Sequence, residues 1–177
     1  NVEYYVVETK INEMLADGQC SLCARLRKGA LTDKAASLGC NKIALGHHFD
    51  DVIETIMLNI LYAGEYKTMM PKLHSQNFPG LELIRPFYFV HEEDIKDWAR
   101  YNDLHFLNCA CSVTVGEVPS KRKEIKELIN DLRKINPNVD INIMRSSENI
   151  NSTQILGYKD QTGKHSFLES YVNNKKD

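Results

Sequence analysis

Between Lys42 and Tyr62 the chain runs from a short apolar segment, Lys42-Ile43-Ala44-Leu45-Gly46, through a polar block, His47-His48-Phe49-Asp50-Asp51. It then enters a stretch holding Val52, Ile53, Ile56, Met57, Leu58, Ile60 and Leu61. A helix that is apolar on nearly every side has no face for water, so the helix predicted over about Asp51 to Tyr62 must be buried on most sides, between layers. Strand, polar loop and buried helix follow one another here, and this order restricts the fold more than any other feature of the chain.

The flanking segments extend the alternation. Residues 2–9, rich in Val and Tyr, predict a strand. Lys10 to Gly18 reads as a short helical or loop segment. Leu22, Leu26, Ala30, Leu31, Ala35 and Leu38 repeat at helical spacing over Ser21 to Leu38, with Gly39 as the stop. After a Gly- and Pro-containing loop from Ala63 to Gly80, a strand is predicted at Leu83 to Pro86. A helix follows at Glu92 to Tyr101, with Ile95, Trp98 and Ala99 on one face. Strands alternating with helices indicate an α/β parallel sheet. Ser120 to Ile135 is amphipathic, a short helical or irregular stretch lies beyond Pro137, and the chain from Tyr158 reads as a polar tail. The expected organisation is an α/β domain over 1–115, a helical extension over 116–157 and the tail over 158–177.

The chain's 177 residues, 42% hydrophobic and 26% charged, are enough to close a core. A formal net charge of -2 gives no global attraction to nucleic acid or anionic lipid, so binding of either needs a local patch. No apolar run is long enough to span a bilayer, and the first residues do not form a basic segment followed by an apolar core, so a soluble, cytoplasmic protein is expected. Five cysteines, an odd number, include a Cys-x-x-Cys, which in a reducing compartment favours metal or redox chemistry over disulfides.

Cys20-Ser21-Leu22-Cys23 places two thiols about one turn apart at a predicted helix N-terminus, where free N–H groups and the helix dipole favour the ligating thiolate. Cys109 and Cys111 follow a second apolar segment. Four thiolates would close a zinc site, whereas three on an iron-sulfur cluster leave one iron open to an outside sulfur. Cys40 stands alone and reads as a small core residue.

Gly46, His47, His48, Asp50 and Asp51 lie at the carboxyl end of a predicted strand, where open α/β sheets bind ligands. Carboxylates there can hold Mg2+ against phosphates. One of them alone is explained equally well as a helix cap, but the whole block is not. Arg25, Arg27 and Lys28, with Lys121, Arg122 and Lys123, form two basic groups that would either be solvated helix faces or neutralise RNA phosphates. No residue is assigned a catalytic role.

Several segments together carry a family resemblance: Cys20 to Gly29, Lys42 to Asp51 with Glu54-Thr55, Met70-Pro71-Lys72-Leu73, and Ile84-Arg85-Pro86. Over about residues 1–150 the chain resembles the tRNA 2-thiocytidine biosynthesis family of PP-loop ATP pyrophosphatases. The resemblance implies a Rossmann-like, adenine nucleotide alpha hydrolase-type α/β fold. It also implies adenylation of a cytidine by ATP with Mg2+, and sulfur delivery to tRNA from a [4Fe-4S] cluster held by Cys20, Cys23 and Cys111, with Cys109 as the alternative. A sulfur donor such as a cysteine desulfurase is an implied partner.

The family's Ser-Gly-Gly-x-Asp-Ser phosphate loop is not among these residues. Residues 2–9 resemble the family's third strand, so the expectation is a fragment or half of a split enzyme, completed as a homodimer or by a partner chain. The alternatives are a zinc-stapled RNA-binding module, an inactive paralogue, or a PP-loop enzyme thiolating another tRNA base.

Overall fold

The computed structural model describes residues 3–14, 20–106 and 120–173. Its helices are α1 (Ile11–Met14), α2 (Cys20–Ser37), α3 (Phe49–Leu58), α4 (Glu92–Tyr101), α5 (Lys121–Ile135), α6 (Val139–Ser146) and α7 (Phe167–Asn173). Its strands are β1 (Lys42–Ala44), β2 (Lys72–His74), β3 (Glu82–Ile84), β4 (Gly157–Lys159) and β5 (Lys164–Ser166).

α2 ends where the sequence places its stop. Gly39 takes φ 72°, its N–H reaches Ala36 O at 3.0 Å, and Cys40 N–H reaches Ala35 O at 2.9 Å. These paired bonds satisfy the last carbonyls of the helix and require a left-handed residue at the turn. The chain then enters β1, which pairs parallel with β3 through Ile43 and Leu83.

The sheet has the order β1-β3-β2, and β2 runs antiparallel to β3 with Leu73 opposite Leu83. It is therefore mixed and not parallel throughout, and β2 lies inside the stretch expected as a loop. A three-residue strand with one apolar side chain shows no alternation to read, and pairing with β3 is what makes it a strand.

The core forms around α3. Phe49, Val52, Ile53 and Ile56 pack with Ile125 and Ile129 of α5, Met144 of α6, and Tyr88. Burying each such aliphatic side chain contributes roughly 1.5–3 kcal/mol. The expected helical extension is thus the second layer over α3. Full burial ends at Ile56, with Met57 and Leu58 packed against the core partly buried. Asn59–Ala63 form a π-helical turn ended by Gly64 at φ 60°, and the wider turn rotates Ile60 and Leu61 out to the surface.

Three other expectations change. Residues 3–10 form no strand, and Tyr4 is 85% exposed; β-rich composition needs a neighbouring strand to pair with, and none pairs with it among the described residues. Trp98 is 60% exposed, because α4 meets the rest of the fold through its first turn while Ile95 and Ala99 are only half-buried. The stretch from Tyr158, expected as a polar tail, forms the β4–β5 hairpin and α7.

Candidate active site

Parallel pairing sends the chain out of β1 and β3 at the same end of the sheet. Leu45 N–H continues the ladder to Ile84 O at 2.9 Å, after which Gly46, His47 and His48 leave β1 and Arg85 leaves β3. Such paired exits form the ligand crevice of open α/β sheets.

His48 caps α3 in an extended conformation. Its N–H donates to Asp51 Oδ2 at 3.1 Å, and its Nε2 lies 3.4 Å from the same oxygen. Arg122, reaching in from α5, donates through Nη1 to Asp51 Oδ1 at 3.0 Å and to Glu54 Oε2 at 2.9 Å. The Glu54 side chain is only 6% exposed; burial pushes its pKa up, and the Arg122 charge opposes that without cancelling it.

Asp50 is directed elsewhere. Its Oδ1 accepts from Arg133 Nη2 at 2.7 Å and its Oδ2 from the Glu92 backbone N–H at 2.7 Å. Arg133 also donates from Nε to both Asp140 oxygens, at 2.9 and 3.0 Å. Burial alone would raise the Asp50 pKa, but the Glu92 N–H and the Arg133 guanidinium outweigh it and hold the carboxyl below its ordinary value. Asp50, His91 and Asp140 bring ligand atoms within 4.8 Å of one another. The Arg133 guanidinium bonds both carboxylates and so takes the place a cation would occupy there.

At the crevice, His47 Nδ1, His48 Nδ1 and Arg85 Nε are buried without a hydrogen-bond partner. Burial lowers the His47 pKa and the Asp51 charge only partly restores it, so the imidazole is neutral at pH 7. Arg85 donates from Nη1 to Met70 O and lies within the electrostatic reach of both His47 and Asp51. Unpartnered polar atoms at one strand end mark a place that a polar ligand or water would satisfy. Sequence reasoning gave Arg85 no role. The available signal was its position directly after a strand parallel to the one that carries His47.

The remaining candidates are dispersed. Cys20 opens α2, and Cys23, in the same first turn, is a half-buried free thiol. Cys109 and Cys111 lie outside the described residues. Cys40 is exposed and not part of the core, because it follows the Gly39 turn at the surface. Arg25, Arg27 and Lys28 are exposed on α2. Lys121 sits 4.7 Å over the Tyr62 ring and Lys123 is exposed. Only Arg122 of the two basic groups turns into the crevice.

The PP-loop domain family matches residues 4–111. Curated relatives named tRNA-cytidine(32) 2-sulfurtransferase include that of Geotalea uraniireducens, 42% identical, covering 77% of this chain and 54% of that protein. That of Geobacter metallireducens is 39% identical over 77% and 52%, and that of Tolumonas auensis 36% over 89% and 53%. The chain thus spans about half the length of the curated relatives it matches. Among solved structures, it is similar to the U34-tRNA thiolase NcsA from Methanococcus maripaludis with its [4Fe-4S] cluster. The TM-score is 0.62 at 23% identity, over 86% of this chain and 52% of that one. The fold is the adenine nucleotide alpha hydrolase-like α/β fold, its sheet mixed among the described residues, and the chain belongs to the PP-loop domain family.

Proposed function

We propose that this chain forms the sulfur-carrying and nucleotide-facing part of an ATP-dependent tRNA sulfurtransferase that makes 2-thiocytidine. The observation that carries the reading is the crevice itself, where His47, His48, Asp51, Arg85 and Arg122 converge at the carboxyl end of β1 and β3. The 36–42% identity to proteins named for cytidine thiolation favours that base over another.

The chemistry needs what these residues supply. The C2 oxygen of cytidine is a poor leaving group until it attacks the α-phosphate of ATP and releases pyrophosphate. Sulfur then replaces it at C2, and AMP leaves with the former oxygen. Arg85 and Arg122 offset phosphate charge, and neutral His47 offers an imidazole to a phosphate oxygen without adding a charge. Asp51, 21% exposed at its side chain against 11% for Asp50, is the more open carboxylate for Mg2+, with Arg122 and the His48 N–H as its present partners. Gly46 keeps the strand exit free of a side chain.

Cys20 and Cys23 suit two ligands of a [4Fe-4S] cluster, one turn apart on a helix N-terminus, and Cys111 is proposed as the third, with Cys109 the alternative. When bound, the cluster holds sulfur at the iron that lacks a protein thiolate. Arg25, Arg27 and Lys28 on α2, with Lys121 and Lys123, are proposed to meet tRNA phosphates. A sulfur donor of the cysteine desulfurase type and a second copy of the protein complete the proposed assembly. No helix among the described residues is long and apolar enough to cross a membrane.

The test is to express the full-length gene in a strain that lacks 2-thiocytidine and to digest its tRNA for nucleoside mass spectrometry. Return of 2-thiocytidine, lost again with Asp51→Asn, is expected. Its absence, or appearance of a different thiolated base, overturns the reading.

A further inference from the structure

Apart from the crevice, the loop after α3, the end of α6 and the β4–β5 hairpin enclose an open groove of about 830 Å3. That volume lies in the range of sites that take a nucleotide-sized ligand. Its walls carry Tyr66, Tyr158, His165, Lys159 and Lys164, and its one carboxylate among the described residues is Glu65. Glu65 lies 4.0 Å from Lys159, which leaves Lys164 as the cation beside the aromatic faces that no carboxylate of the groove engages.

The aromatic pair is held in place by its own hairpin. Tyr158 stacks on His165 with centroids 4.6 Å apart and planes 20° from parallel. His165 Nε2 meets Thr162 Oγ1 at 2.9 Å and Asp160 Oδ1 at 3.2 Å, and its Nδ1 lies 3.3 Å from Glu169 Oε2. A Cβ on Gly157 would lie 2.4 Å from His165 O, so glycine is required for the two strands to come this close. Tyr158 nevertheless remains 51% exposed, which leaves ring surface for a ligand. Tyr66, a second ring of the groove, is anchored by its hydroxyl to Ser146 Oγ at 2.8 Å.

Met70, whose carbonyl accepts from Arg85, lies four positions after Tyr66. Four extended residues span at most roughly 14 Å, so groove and crevice share one short loop. We propose that this groove is a subsite for an unpaired base of the RNA substrate, stacked on Tyr158 with its phosphates beside Lys159 and Lys164. Unpaired bases are recognised by aromatic stacking combined with cations along the backbone. The proposal rests on the tRNA reading above and adds a recognition site whose lining, Gly64 to Tyr66 apart, lies beyond the matched residues 4–111.

The test measures binding of an unmodified tRNA transcript to the full-length protein by fluorescence anisotropy across a salt series. Tyr158→Leu is expected to weaken binding about tenfold, Tyr158→Phe to stay close to wild type, and Lys164→Gln to lower the salt slope by about one. If Tyr158→Leu fails to fold, the Lys164→Gln slope decides. Unchanged binding in Tyr158→Leu, equal losses in the Leu and Phe variants, or an unchanged Lys164→Gln slope overturns the subsite. A polypeptide or second copy found seated in the groove overturns it too. Wild-type protein that binds no tRNA overturns both this proposal and the functional reading, whereas tRNA binding indifferent to Tyr158 and Lys164 overturns only the subsite.

Discussion

Asp50 and Arg133, 83 positions apart, meet at 2.7 Å and tie the start of α3 to the last turn of α5. Asp50 is buried, so removing its partner strands a carboxylate that water barely reaches. Arg133→Met is expected to destabilise the fold by about 2 kcal/mol, below the full cost for a buried pair because Arg133 is one-third exposed. Urea denaturation checks this. Adding Asp50→Asn is expected to restore part of the loss, since the two changes remove one interaction, and strict additivity would contradict the coupling.

Asp50 and Glu54 respond to pH in opposite senses. Asp50 has a folded pKa below its ordinary 3.8, so its contribution is complete above that value and is lost as pH falls through the folded pKa. Glu54 has a folded pKa above its ordinary 4.5. The preference of the fold for its protonated form is present below 4.5 and is lost as pH rises through the folded pKa. Asp50→Asn should therefore flatten the acid limb below about pH 4, and Glu54→Gln should flatten the fall in stability above about pH 4.5. Denaturation midpoints between acid and neutral pH test both, and a Glu54→Gln curve parallel to wild type would count against the burial argument.

The run from α2 through β1 to α3 was legible because local signals agree there: helical spacing, a glycine stop, a short apolar strand and a cap. The helices α4 and α5 were legible for the same reason. What was not legible depends on partners distant in sequence. β2 exists through pairing with β3, and residues 3–10 lack such a partner among the described residues. The Asp50-Asp51 pair read as one Mg2+ motif, yet Arg133 and Glu92 engage the first carboxylate while Arg122 and His48 engage the second. The hairpin did carry a signal, the Asp160-Gln161-Thr162-Gly163 turn, in which the Asp160 carboxylate accepts from the Thr162 and Gly163 N–H groups.

If three thiolates hold the cluster, their removal should separate them cleanly from the fourth cysteine near them in sequence. Anaerobically reconstituted Cys20→Ser, Cys23→Ser and Cys111→Ser proteins are each expected to lose the broad visible absorption and most bound iron, while Cys109→Ser keeps both. A colourless wild type with stoichiometric zinc, lost equally in all four variants, would instead support a four-thiolate zinc site.

Arg85 is the sharpest test of the crevice, because its Nη1 serves the fold through Met70 O while its Nε is buried without a partner. An arginine kept only to anchor the 64–70 loop would be replaced with modest loss by lysine, which can also donate to a carbonyl. One that also meets phosphate through its planar fork would not be. In the full-length protein, Arg85→Lys and Arg85→Met are both expected to weaken ATP binding about tenfold, with thermal midpoints separating Met from Lys. Titration calorimetry with ATP, set beside the melting curves, distinguishes the roles. Wild-type affinity in Arg85→Lys would leave Arg85 as a loop anchor, and the anion-binding function of the crevice would then rest on Arg122 and His47.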